Sequence, residues 1–339
     1  MTALAPLTTL GIGGPARRLV EARSEEELVA AVREAAPPVL VLAGGSNVVI
    51  ADTGFPGTVV RVATRGVRRE GERLEVQAGE PWDPLVASCV EEGLQGFECL
   101  SGIPGSTGAT PIQNVGAYGQ EVAETVESVR VLDRVRDTVE ELPGSECGFH
   151  YRHSRFKYSE RWVVLAVTFR LRAAPLSGPL RYAELARALG VPAGGTAPLA
   201  AVREAVLALR RRKGMVIDPD DPDSVSVGSF FMNPVLSVES LAELTARAGA
   251  PPPRWPEPDG RVKTSAAWLI ERAGFHKGYG NGHAGISSKH TLALVNRGGA
   301  SADELVGLAR EIAAGVRARF GVELRPEPVL VGLAWETGA

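Results

Sequence analysis

Residues 99–120, CLSGIPGSTGATPIQNVGAYGQ, carry no charged side chain and place glycine at 102, 105, 108, 116 and 119. Pro104 and Pro111 interrupt any helix or central strand that the apolar residues could start. What is left is an extended series of backbone N–H groups with little side-chain cover, a surface suited to a phosphate-bearing cofactor. Ile103, Ile112, Val115 and Tyr118 are available to anchor it. Loops of this length are usually functional or disordered, and a glycine-rich surface loop without a ligand is the competing reading of the stretch by itself.

Upstream, residues 17–52 read as strand, helix, strand. RRLVEA is short and apolar, Ser24 with Glu27 forms a capping box ahead of EEELVAAVREAA, and VLVLA runs into Gly44-Gly45-Ser46-Asn47. That tetrapeptide is a second phosphate candidate because it closes an apolar strand, with a plain tight turn as its alternative. Gly11-Ile12-Gly13-Gly14-Pro15-Ala16 matches a dinucleotide fingerprint in letters only, since Pro15 sits inside it and a strand-like segment follows. Downstream come VVRVA, RLEVQAGE, a helix near PLVASCVEEG, and the strands VESVRVLD, VEELPG and WVVLAVTFRLR.

Short strands with occasional helices predict an α+β domain over 1–173 whose loops line a cofactor, followed by an α+β substrate domain over 174–339. The second part opens with a connecting stretch over 173–198 and a helix over 199–214, then an acidic, proline-broken loop. It continues with GSFFMNP, a helix SAAWLIERAG stopped by Gly274, a glycine-rich loop over 278–285 and strand TLALVN. Ser301 and Glu304 cap a helix that lines up Leu305, Leu308, Ile312, Val316 and Phe320 on one face.

The chain has 339 residues and a net charge of −3, with both signs interspersed, which argues against nucleic acid as a partner. No apolar run approaches the roughly 20 residues of a membrane span, and no secretory leader is evident, so a cytoplasmic protein is expected. Cys89, Cys99 and Cys147 are an odd, widely spaced set that predicts no disulfide framework, and the histidines predict no metal site. Of 37 basic residues only five are lysines: Lys157, Lys213, Lys263, Lys277 and Lys289. No uncovered amphipathic helix demands a partner, so a monomer is expected.

Seven motifs in order, TTLGIGGPA, LAGGSN, GIPGSTGATPIQNVGAYGQE, YRHSRFK, GSFFMNP, AAWLIERAGFHKG and LRPEPVLVG, resemble the UDP-N-acetylenolpyruvoylglucosamine reductase family nearly end to end. The resemblance implies an N-terminal FAD-binding fold of the vanillyl-alcohol oxidase type, with FAD held noncovalently, and a C-terminal domain for a UDP-sugar substrate. It further implies that NADPH reduces FAD and that hydride then passes to the enolpyruvyl double bond, giving UDP-N-acetylmuramate.

Adding hydride to an enol-ether carboxylate needs a cation on the carboxylate, a proton donor and preorganised electrostatics. By the resemblance, Arg152 is the catalytic arginine, able to grip a carboxylate through two parallel N–H bonds. Ser229 matches the proton donor and Glu327, between Pro326 and Pro328, the catalytic glutamate. Read alone, these three would be a surface arginine, a turn serine and an edge-strand charge. Cofactor binding falls to Gly44, Gly45, Ser46 and Asn47 and to Gly102, Ile103, Pro104, Gly105, Ser106, Gly108 and Ala109. Gln113, Asn114, Gly116 and Ala117 continue that site. Tyr151, Tyr182, Arg210, Lys213 and Asn233 are the substrate-binding set, although basic residues at the end of a helix also complement its dipole. Met232 stands where the family usually has lysine, and Gly108-Ala109-Thr110-Pro111 departs mildly from the commoner G-G-A-P.

Overall fold

The computed structural model describes residues 1–335. The described residues divide into two compact units: 1–2, 16–45 and 56–212 form the first, and 3–15, 46–55 and 213–335 the second.

The first unit holds helices α1 (Glu25–Glu34), α2 (Trp82–Glu91), α3 (Ala183–Ala188) and α4 (Leu199–Arg211). Ser24 caps α1 by accepting the Glu27 N–H. The Glu27 carboxylate reaches one residue further back than a capping box requires, to the Arg23 amide at 2.7 Å. An antiparallel sheet runs in the order Thr138–Pro143, Val126–Asp133, Trp162–Arg170, Arg73–Gln77, Val67–Glu70. A second sheet includes Pro15–Ala22 and Phe55–Val62, the latter parallel to Val39–Leu42. Trp82, Phe97 and Phe169 lie at the centre of the core, with Phe97 4.8 Å from the Trp82 ring and 4.9 Å from that of Phe169.

Residues 174–212 pack with this unit, so the compact division falls after Arg212 and not near 173. The reason is apolar: Leu180, Leu185, Val202, Val206 and Leu209 bury themselves with Cys99, and Tyr118 packs against the same cluster. Helix α4 stops at Arg211, earlier than the predicted 214, and Lys213 lies in the turn beyond it.

The second unit holds α5 (Val238–Ala248), α6 (Ala266–Arg272) and α7 (Ala302–Phe320). The five residues predicted on one face of α7 are all buried, together with Phe230, Phe231, Leu269 and Ile270. Ser301 caps α7 at the Glu304 amide, and the Asp52 carboxylate also accepts the Ala302 N–H. Ala293–Asn296 lies between Ser226–Ser229 and Ala284–Ile286, antiparallel to both. Val48–Ile50 pairs in parallel with Val329–Val331, which joins the segment after LAGGSN to LRPEPVLVG. Residues 11–14 carry no regular element and the strand Pro15–Ala22 follows them, so the apparent fingerprint opens no helix. No helix of the described residues is long and apolar enough to cross a membrane.

Candidate active site

In the first unit the two glycine-bearing loops meet. A Cβ at Gly44 would stand 2.7 Å from the Gly105 Cα and 3.1 Å from its carbonyl carbon, so only a residue without a side chain lets these backbones approach. Residues 102–108 are fastened from outside: the Gly102 N–H donates to Asp83 Oδ1 at 2.6 Å, Thr107 N–H to the Glu80 carbonyl and Gly108 N–H to that of Ala78. Asp83 is itself gripped by both terminal nitrogens of Arg203, at 2.6 and 3.0 Å. Burial pushes its carboxyl up, but the Arg203 and Gly102 hydrogen bonds outweigh that and hold it below the usual range. A close, side-chain-free backbone of this kind can hold a pyrophosphate.

Asn114 is a fastener. Its carboxamide donates to Glu121 at 2.7 Å and to the His150 carbonyl, and accepts the Ala123 N–H. Cys99 is buried, and burial pushes its thiol up to about 12, which leaves it no nucleophilic thiolate at neutral pH.

Tyr151 and Arg152 form the tip of a two-residue turn closed by reciprocal bonds between His150 and His153 at 3.0 and 3.1 Å. Arg152 has φ 53°, the left-handed region that costs a side-chain-bearing residue energy. Its guanidinium donates to the Gly116 carbonyl at 2.7 Å and lies 5.2 Å from the Tyr151 ring centroid. Tyr182 leads into α3 and meets Tyr118 edge-on at 5.3 Å. Arg210 is 9% exposed; burial pushes its guanidinium down to about 10, against the pull of Tyr118 and Asp83.

In the second unit Ser229 ends its strand after a bulge: Ser226 to Ser229 advances three residues while the partner advances two, from Val295 to Ala293. Gly228, at φ 73°, supplies the turn that makes this possible. The next residue, Phe230, accepts the Glu327 N–H at 2.8 Å, and Phe231 bridges to Pro326. The Glu327 carbonyl accepts from Asn47 Nδ2 at 3.4 Å, and the Asn47 carbonyl accepts the Val329 N–H at 3.0 Å. Asn233 Oδ1 takes the Ala266 N–H at 3.0 Å, so its NH2 is the group it can offer a ligand.

Residues 220–331 match the family model described as UDP-N-acetylenolpyruvoylglucosamine reductase, C-terminal domain, and residues 16–142 match the FAD binding domain. The UDP-N-acetylenolpyruvoylglucosamine reductase of Thermobifida fusca is 56% identical over 344 residues, covering 97% of each chain. That of Salinispora arenicola is 59% identical over 98% of this chain and 95% of its own. The chain belongs to the UDP-N-acetylenolpyruvoylglucosamine reductase family. The crystal structure of the reductase from Thermus caldophilus superposes with a TM-score of 0.68 at 28% identity, with 97% of both chains covered.

Within this reductase fold, the expected α+β architecture with an N-terminal FAD-binding domain is present. Ser229, Glu327 and Asn47 gather in the second unit, while Arg152, Tyr151, Tyr182, Arg210 and the 102–117 residues belong to the first. The division falls inside the tetrapeptide 44–47, after Gly45. Asp83 and Lys157 carry site geometry that the sequence reading missed. Lys157 appeared as one of five lysines and as the last residue of YRHSRFK, with no role given; Asp83 gave no signal, because a carboxylate in the first turn of a helix reads as an ordinary dipole partner.

Proposed function

We propose that this chain reduces the enolpyruvyl group of UDP-N-acetylenolpyruvoylglucosamine with NADPH and noncovalently held FAD, producing UDP-N-acetylmuramate for peptidoglycan precursor synthesis. Bound FAD supplies hydride relay between NADPH and the enolpyruvyl double bond. The pyrophosphate of FAD is read against the backbone of 44–47 and 102–108, which the 2.7 Å approach at Gly44 supports. Arg152 grips the substrate carboxylate, and that grip stabilises the negative charge that hydride addition pushes onto it. Ser229 hands a proton to the enolpyruvyl carbon; a hydroxyl is a weak acid, so it needs a polarising partner, and Glu327 is assigned to orient and polarise the substrate beside it. Tyr182, Lys213 and Asn233, with Arg210, serve the UDP-sugar, whose diphosphate calls for charge-assisted donors. The working enzyme is read as a cytoplasmic monomer.

The observation that carries this reading is the 2.8 Å bond from Glu327 to Phe230, because it fixes two residues of distant motifs as neighbours on one scaffold. The test is anaerobic: the purified protein is yellow, NADPH bleaches it, and the enolpyruvyl substrate restores the flavin absorbance. Bleaching without reoxidation by that substrate would move the chain to another flavin oxidoreductase.

A further inference from the structure

Lys157 is 5% exposed, and its ammonium donates to the backbone carbonyl of Arg152 at 3.1 Å. It also sits 5.2 Å from the ring centroid of Tyr158. A buried ammonium is retained only where its contacts repay desolvation, and its carbonyl partner here belongs to the one residue of the turn held at positive φ. The two ends of Arg152 are thus tied separately: the guanidinium to the Gly116 carbonyl, the main chain to Lys157. The Arg152–His153 peptide is held at both ends, its N–H by the His150 carbonyl and its carbonyl by the Lys157 ammonium, so rotating it would break both bonds. Left-handed geometry at a bulky residue persists only when its surroundings over-determine it.

We propose that Lys157 is a positioning residue that locks the Arg152 turn so that the guanidinium is presented in one orientation to the substrate carboxylate. This rests on the reading of Arg152 as the carboxylate-gripping residue, and it concerns aim, which is worth large factors when a bidentate grip must be geometrically exact.

The experiment compares Lys157→Met, Lys157→Gln, Arg152→Met and the double variant Lys157→Met/Arg152→Met. Flavin content, the rate of reduction by NADPH, substrate affinity by calorimetry and the rate of reoxidation by substrate are measured on each. Lys157→Met is expected to keep flavin and NADPH reduction at parental levels while substrate affinity and reoxidation fall about tenfold or more. Lys157→Gln, which keeps an N–H donor at that depth, recovers part of the loss. In the Arg152→Met background the Lys157 substitution adds less than threefold, because there is no guanidinium left to aim. Equal losses in both backgrounds, or loss of flavin in both Lys157 variants, would show a residue of the fold alone and overturn the proposal. Parental substrate reduction by Arg152→Met would instead overturn the reading of Arg152, a separate outcome from an Arg152→Met defect that Lys157→Met fails to share.

Discussion

Glu327 donates its backbone N–H to the carbonyl of Phe230 at 2.8 Å, so the residue after Ser229 and the residue between two prolines are locked in register across almost 100 positions of sequence. Neither side chain need move for the other to be placed. The bond makes the strand end at Ser229 and the Pro326-Glu327-Pro328 segment one rigid piece, and it converts local changes in either into changes in both.

Gly228→Ala tests that coupling from the strand side. Nothing lies within 4 Å of a Cβ at this position, so the substitution meets no clash and acts only through φ 73°. An alanine there costs about 1–2 kcal/mol in the left-handed region. The expected result is a folded, yellow protein whose thermal midpoint drops by a few degrees and whose reoxidation by substrate slows more than its reduction by NADPH. Equal slowing of both steps would contradict the coupling.

Gly44→Ala tests the loop cradle. Its Cβ would press on the Gly105 backbone, which cannot swing aside as a side chain can. Overpacking of this kind costs about 1–3 kcal/mol, and the protein is expected to purify with less flavin and to melt earlier. Full flavin content with a parental midpoint would show that the two loops need no close approach.

The main strands, most helices and the separate site motifs are legible in the sequence because period, caps and glycine content are local. Helix α5 was within reach on the same grounds, since Ser237 caps it and Gly249 closes it at φ 64°. What local signals cannot encode is the company a segment keeps. Val48–Ile50 finds its parallel partner in Val329–Val331, so residues 46–55 fold with the C-terminal half although every neighbour in sequence suggests otherwise. Residues 174–212 fold with the first unit for the same kind of reason, because Leu185, Val206 and Leu209 cover Cys99. The tie from Lys157 to Arg152 escaped for a different reason: the sequence marks Lys157 as a scarce lysine ending YRHSRFK, but neither its burial nor its carbonyl partner is written there.

Acid stability gives a prediction independent of catalysis. Asp133 accepts from Arg161 Nε at 2.9 Å and Nη2 at 2.5 Å and from the Val135 and Arg136 amides. The Arg161 hydrogen bond leads in holding its carboxyl down to about 2, against burial. A depressed folded-state value means stability that is present above the ordinary carboxylate range and lost as pH falls toward 2. Asp133→Asn should lower the melting midpoint at pH 7, with the gap to the parent narrowing between about pH 4 and about pH 2. A constant gap down to pH 2 would remove Asp133 from the acid transition.

The most direct test of the central claim is stopped-flow kinetics on Ser229→Ala, with the two half-reactions measured separately. Reduction by NADPH requires no proton at the enolpyruvyl carbon, whereas completing substrate reduction does. The account predicts full flavin content, near-parental bleaching by NADPH, and reoxidation by the enolpyruvyl substrate slowed about 100-fold to 10,000-fold. Reoxidation within a few-fold of the parent would assign the proton to another donor and contradict the account.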